Sequence, residues 1–208
     1  MSGRADSSRF YIGLDDTDHP DFGCTTATFD DLLNLLTKSV DGFVCVERRL
    51  VRLWPFAARR TRGNGALSAI VEVPNNQSEK LRDICASFFE DLLRSLEGHL
   101  DADSEISPVL VISEYNFDIQ LYFSAVRGEV LINDVENKIS VEKYFSGKSN
   151  WGLIGASAAI AWDPNAQSSW ELIAWRSEEL IGKKRLVPKD VIMQLDKLHS
   201  DTFLNRDP

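Results

Sequence analysis

The chain has 208 residues, 43% hydrophobic and 26% charged, which admits one domain or two small ones and excludes disorder over most of its length. Lys and Arg number 23 against 32 Asp and Glu, for a net charge of −9. A broad basic footprint of the kind general nucleic-acid binders use is therefore absent, although a local basic patch is not excluded.

The first nine residues, Met1 to Arg9, are polar, lack an apolar signal core and read as a disordered tail. The run Phe10 to Leu14 predicts a buried strand that stops at Asp15-Asp16. Phe29, Leu32, Leu33 and Leu36 recur at helical spacing and predict a helix from about Cys24 to Lys38. Strands are expected over Phe43 to Leu53 and Gly65 to Val73, joined by a loop from Trp54 to Asn64. The stripe Leu81, Ile84, Cys85, Phe88, Phe89, Leu92, Leu93 and Leu96 predicts a helix over Ser78–Leu96 with Ser78 as its N-cap.

Residues 101–105 form a charged surface loop, Val109 to Ile112 a short strand, and Glu114 to Val126 a helix. Gly152 to Ala161 is small and apolar and predicts a tightly packed helix. The longest apolar run, Gly152 to Trp162, is too short for a membrane span of about 20 residues. A strand at Trp170 to Trp175 and a last helix at Val187 to Leu198, with Pro188 in its first turn, complete the reading. This alternation predicts a layered α/β domain with a mixed central sheet flanked by helices, α+β being the alternative. One domain over residues 10–200 and a short tail at 201–208 are expected. Cys24, Cys45 and Cys85 are widely separated and form no Cys-x-x-Cys pair, which excludes a zinc ribbon and suits reduced thiols in a cytoplasmic protein.

Two segments carry chemistry. Asp15, Asp16 and Asp18 follow the first strand, and Gly23-Cys24-Thr25-Thr26 then enters a helix. Ligands of open α/β sheets lie beyond the carboxyl ends of strands, and a helix start offers amides to a phosphate. Carboxylates there would repel that phosphate unless a cation lay between, and oxygen ligands plus phosphates are how Mg²⁺ is usually held. Each Asp alone reads equally well as an ordinary helix cap. Successive strand residues face opposite ways, so only one of Asp15 and Asp16 is expected to face the site.

The second segment holds Arg48, Arg49, Arg52, Arg59, Arg60, Thr61, Arg62, Gly63, Asn64 and Gly65. Arg62 to Gly65 suits contact with an anionic ligand, through guanidinium donors and a close backbone. Arg48 and Arg59 are expected instead to be solvated residues that pair with the excess acid. The Walker A spacing is absent. His19, His99 and His199 show no ligand spacing and are expected on the surface. Cys24 has no His partner nearby and is not expected to be a nucleophile. Trp54, Trp162, Trp170 and Trp175 are expected in the core.

Three blocks carry a family resemblance: Ile12-Gly13-Leu14-Asp15-Asp16-Thr17-Asp18 with Gly23-Cys24-Thr25-Thr26; Arg49-Leu50-Val51-Arg52-Leu53 with Thr61-Arg62-Gly63-Asn64-Gly65-Ala66; and Trp151 to Ala156 leading into Trp170 to Arg176. In this order and spacing they resemble the archaeal agmatidine synthetases, which modify the wobble cytidine of an isoleucine tRNA. The resemblance implies an ATP-dependent kinase module that binds ATP and Mg²⁺ and phosphorylates the cytidine base, activating it for attack by agmatine. It implies that Asp15, Asp16 and Asp18 are metal and catalytic residues and that Thr25 is a phosphate-linked site. The matching loop Thr61 to Gly65 is expected to line the nucleotide pocket, and the helix start at Gly23, Cys24 and Thr26 is expected to hold phosphate beside it.

That family continues into a ferredoxin-like domain, an OB-fold and a zinc ribbon. This chain stops at Pro208, has His19-Pro20-Asp21-Phe22 in place of the usual linker, and has Arg60 where a lysine is common. The expectation is a stand-alone ATP- and Mg²⁺-dependent phosphotransferase whose acceptor is a small molecule or a polynucleotide, with no stable tRNA binding by itself. The alternatives are a nucleotide-binding regulatory or partner subunit without turnover, and a metal-dependent phosphohydrolase. A homodimer or a partner protein remains open.

Overall fold

A computed structural model of the protein describes residues 7–19, 23–60, 63–100, 106–139, 142–145 and 149–163, and residues 190, 193, 194 and 197. Its elements are β1 (Ser7–Asp15), α1 (Thr25–Ser39), β2 (Val44–Arg52), β3 (Gly65–Pro74), α2 (Ser78–Ser95), β4 (Val109–Ser113), α3 (Ile119–Arg127), α4 (Ile132–Glu136), β5 (Glu142–Phe145) and α5 (Gly152–Ala161). The strands form one sheet in the order β2-β3-β1-β4-β5, and every ladder between them is antiparallel. Contacts divide the chain into two compact units, Met1–Asp163 and Pro164–Pro208, and the sheet lies wholly in the first.

Alternation along β1 sets up the layers. Phe10, Ile12 and Leu14 are fully buried on one face, packed with Phe29, Leu32 and Leu36 of α1 and with Leu81, Cys85 and Phe89 of α2. The other face carries Val109 and Val111 of β4, covered by Leu121 of α3 and by Leu153, Ala156 and Ile160 of α5. Helices on both faces of the sheet make the expected layered α/β arrangement, but the sheet of the described strands is wholly antiparallel and not the mixed sheet expected, since each strand runs opposite to its neighbours. No helix among the described residues is long and apolar enough to cross a membrane.

α5 is apolar nearly all round, and residues Gly152, Leu153 and Gly155–Ala161 are buried, as such a helix must be. It lies so close to β1 that a Cβ on Gly13 would stand 2.5 Å from the Ala156 carbonyl oxygen. Polar side chains of the sheet hold its far end. Ser68 Oγ donates to the Ala159 carbonyl at 2.7 Å. The buried Arg49 donates from Nη1 to the carbonyls of Ile160 at 3.1 Å and Trp162 at 2.7 Å. The same guanidinium lies 5.3 Å from the Trp162 ring centroid and is paired through Nε with Glu47 at 2.7 Å. The last carbonyls of a helix lack partners within it, and Arg49 supplies them.

Several elements differ from their sequence reading. β1 begins at Ser7, so residues 7–9 of the expected tail belong to the sheet. Ser78 is the first residue of α2, where its side chain makes no capping bond, and is not its N-cap. The helix expected from Glu114 starts only at Ile119. Ser113 Oγ bonds both the amide and the carbonyl of Tyr115 in a local turn, and Asp118 caps α3 by accepting from the Gln120 amide at 2.8 Å. α4 and β5 had no expectation attached to them. The strand at Trp170 to Trp175 lies outside the described residues. The last helix is described only at Asp190, Met193, Gln194 and Lys197, all of them helical.

Replacing Gly13 by Ala puts a methyl group against the Ala156 backbone, which cannot move aside as a flexible side chain can. A loss of about 1–3 kcal/mol in unfolding free energy is expected, read by urea titration. An unchanged midpoint and slope would show that α5 can retreat from β1 at no cost.

Candidate functional site

β1 ends beneath a cleft of about 270 Å³. Its walls come from Asp15 and Asp16, from the β2–β3 loop through Trp54, Arg59, Arg60, Asn64 and Gly65, from the α3–α4 connection through Gly128, Glu129 and Leu131, and from the start of α5 through Trp151, Gly152 and Gly155. Asp15 follows Gly13 by two residues, so alternation points it at α5. Gly155 is what admits it, because a Cβ there would overlap Asp15 Oδ2.

Asp16 does not point to the opposite face, as strand alternation led one to expect. It turns out of the strand with φ of 60°, a left-handed conformation that Asp tolerates better than most residues. Its amide donates to Asp15 Oδ1 at 2.8 Å, and both residues line the cleft. Burial foremost, and then the Asp16 charge, push the Asp15 carboxyl well above its ordinary range. Burial and the Asp18 charge push Asp16 up to about 7, against the opposing pull of the Ser107 backbone N–H and of Arg59.

Asp18 and Thr25 form a separate network beside the cleft. Thr25 Oγ1 donates to Asp18 Oδ1 at 2.8 Å and accepts from the Thr17 amide at 3.3 Å and the Thr17 hydroxyl at 3.1 Å. Thr17 and Thr25 are buried, so these bonds tie the aspartate loop to the first turn of α1. Gly23, with φ of 77°, and Cys24 are exposed, and Thr26 is half-buried. None of these three lines the cleft.

In the arginine loop, Asn64 and Gly65 line the cleft, and the Gly63 carbonyl accepts from Arg52 Nη1 at 3.0 Å. Asn64 adopts φ of 44° and clasps the loop base: its Nδ2 donates to the Trp54 carbonyl at 2.5 Å and its carbonyl accepts from the Leu53 amide at 2.8 Å. Thr61 and Arg62 lie outside the described residues. Arg48 pairs with Asp30 at 2.5 Å, as a solvated arginine should. Arg59 corrects its expectation: it lines the cleft, with its guanidinium 5.1 Å from the Trp151 ring centroid. Trp54 likewise lines the cleft instead of lying in the core. Ser107, Glu129 and Trp151 were not singled out as site residues, since none sits in a recognisable polar motif.

Among the described residues, no three His, Cys, Asp or Glu side chains are gathered into a set that could hold a metal by themselves. The expected set of three aspartates divides, with Asp15 and Asp16 on the cleft and Asp18 bonded to Thr25. Mg²⁺ is usually bound by one or two carboxylates together with substrate phosphates. Two crowded carboxyls with raised proton affinity suit that role, because a cation between them relieves the same repulsion that a proton does.

A model of the TiaS TCKD domain matches residues 11–147, and one of the TiaS FLD domain matches residues 150–208. The chain belongs to the TiaS family. It is 30% identical to the isoleucine-tRNA 2-agmatinylcytidine synthetase TiaS of Ignisphaera aggregans over 95% of its own length and 46% of that protein. It is 29% identical to the TiaS of Thermoplasma volcanium, over 85% and 44%. A solved complex of TiaS with an isoleucine tRNA and ATP is similar with a TM-score of 0.67 and 25% identity, over 92% of this chain and 45% of that one. The chain thus spans less than half the length of these TiaS relatives. The second matched domain means that it extends past the family's first module, where the resemblance alone had placed only that module.

An Asp whose folded pKa is raised holds a proton that the unfolded chain has already released. Between pH 4 and 7 the unfolded state binds fewer protons, so stability falls as pH rises through this window. Asp16→Asn keeps an acceptor for the Ser107 amide and removes the ionisation. The variant is expected to melt above the parent at pH 7, with the gap closing toward pH 4. A constant gap, or none, would show that Asp16 ionises as freely in the fold as in the open chain.

Proposed function

We propose that this chain carries the ATP-dependent step of a tRNA modification of the TiaS type, acting as an Mg²⁺-dependent phosphotransferase on a polynucleotide. The observation that supports this best is the pair Asp15 and Asp16 at the end of β1, facing a cleft whose other wall supplies Arg59, Arg60 and the start of α5. Solved relatives are complexes of TiaS with an isoleucine tRNA and ATP, and with that tRNA, AMPCPP and agmatine. The acceptor left open by the sequence is then tRNA. The expectation that the chain makes no stable contact with tRNA by itself is set aside on the same ground.

In this reading the triphosphate lies along the cleft. Arg59 and Arg60 donate to its oxygens, and the α5 dipole adds its positive end to the field there, while the first amides of that helix stay bonded to Ser107, Asn150 and Trp151. Asp15 and Asp16 would hold the Mg²⁺, which when bound offsets the phosphate charge. Phosphoryl transfer asks little covalent chemistry of a protein, and positioning with electrostatic stabilisation does most of the work. The Gly63-Asn64-Gly65 backbone shapes the wall on which the nucleotide rests. Asp18 keeps Thr25 beside the aspartates, where the phosphate-linked role implied by the resemblance would place it.

The test follows ATP and all of its nucleotide products by chromatography, with and without Mg²⁺ and tRNA. Mg²⁺-dependent consumption of ATP is expected. Asp16→Asn should lower the rate at least about a hundredfold while leaving a folded protein, the scale on which losing one charge-stabilising group acts. Binding without turnover would favour the regulatory-subunit reading, and parent rates in the variant would remove Asp16 from the chemistry.

A further inference from the structure

Four residues from four separate segments close a circuit along one wall of the cleft. Ser107, almost fully buried ahead of β4, is its hub. Its backbone N–H serves the Asp16 carboxylate. Its Oγ accepts the Trp151 amide at 2.9 Å, and its carbonyl accepts the Gly152 amide at 3.2 Å. Trp151 is therefore fixed at its backbone, while the residue as a whole stays 37% exposed and lines the cleft. The Arg59 guanidinium lies over that indole, and its charge acts on Asp16.

Arg59 extends from an irregular loop on a long side chain whose rotamer freedom opposes any fixed position. The indole face gives it a seat by cation–π attraction. That attraction acts on the charge of the guanidinium as a whole, and a guanidinium carries five N–H donors with which phosphate oxygens can be met.

We propose that Trp151, seated by Ser107, is a positioning residue that holds Arg59 over the cleft to receive the phosphate oxygens of the bound nucleotide. The proposal rests on the nucleotide site argued above and adds to it an aromatic support for the phosphate-binding arginine. Arg59 is the residue that touches the ligand, and Trp151 acts through it.

The experiment is a double-mutant cycle on the full 208-residue chain, reading the dissociation constant of radiolabelled ATP in Mg²⁺ by equilibrium dialysis. Arg59→Ala and Trp151→Leu are each expected to weaken ATP by about tenfold, the scale of a desolvated cation–π contact or a charge-assisted bond. Trp151→Phe, which keeps an aromatic face, should lose less than about threefold. The double variant Arg59→Ala/Trp151→Leu should bind no worse than Arg59→Ala alone, since the indole acts only through the arginine. Ser107→Ala should weaken ATP in the parent and not in the Trp151→Leu background.

Additive losses, or a Phe variant as weak as the Leu variant, would overturn the positioning role while leaving the nucleotide site standing. Failure of the parent to bind ATP would overturn both. Melting curves of each variant show which losses reflect unfolding, and Trp151→Phe carries the decision where Trp151→Leu does not fold.

Discussion

The close approach of α5 to β1 is the constraint on which the rest of this structure depends. Three glycines make it possible. Gly13 clears the backbone of Ala156, Gly155 clears the Asp15 carboxyl, and Gly152 clears the carbonyl of Ser107. An apolar helix pressed to a sheet at this distance leaves little space for solvent, so polar atoms caught between them need protein partners. At the far end Ser68 and Arg49 supply them, bonding the carbonyls of Ala159, Ile160 and Trp162. At the near end Asp15 and Asp16 take the corresponding place, and there the partners fall short of full compensation. The unbalanced end is the cleft.

That asymmetry bears on how an acidic chain would hold the anion site proposed above. The net charge of −9 works against phosphate binding at long range, but screening confines such fields to about 8 Å at physiological salt. What matters is the local balance. Burial pushes both carboxyls toward their neutral forms, which removes negative charge from the cleft at the expense of folding stability. Arg59 and Arg60 then face a wall that is less negative than its composition suggests. A cation between the carboxyls and the phosphates would lower the proton affinity again and return both groups to their charged forms. Under the proposed function the same two residues would suit an empty cleft when protonated and a filled one when ionised beside a cation.

Much of this was legible in the residues. The i, i+3, i+4 stripe at Phe29 to Leu36 placed α1 within a residue of its limits, and the longer stripe from Leu81 to Leu96 did the same for α2. The small residues from Gly152 to Ala161 told of a helix packed at short range, and the acid cluster marked the end of β1. Tertiary context hid the remainder. Strand alternation led to the expectation that only one of Asp15 and Asp16 would face the site, and it could not foresee the left-handed turn that brings both to the same cleft. Arg59 looked like any surface arginine, because its seat, Trp151, lies far off in sequence and is joined to it only by the fold. Ser107 had no signal at all, since two of its three bonds use backbone atoms, which every residue has.

The backbone itself singles out the same place. Among the described residues, Asp16 and Asn64 are the two non-glycine positions with positive φ, and they stand on the walls of one cleft. Such conformations cost of order 1 kcal/mol or more each and persist only where the surroundings over-determine them. Here the surroundings do. Asn64 is fixed by its amide on Trp54 and by its carbonyl on Leu53. Asp16 is fixed by its amide on Asp15 and by the Ser107 N–H on its carboxylate. In each case the side chain and the main chain of one residue hold separate partners, Trp54 and Leu53 for Asn64, Ser107 and Asp15 for Asp16, so neither can relax without releasing the other. A loop that only had to cross between two strands would need no such double anchoring. A pair of walls that must keep a guanidinium, two carboxyls and a helix start in register does, and the strain sits where that register is set.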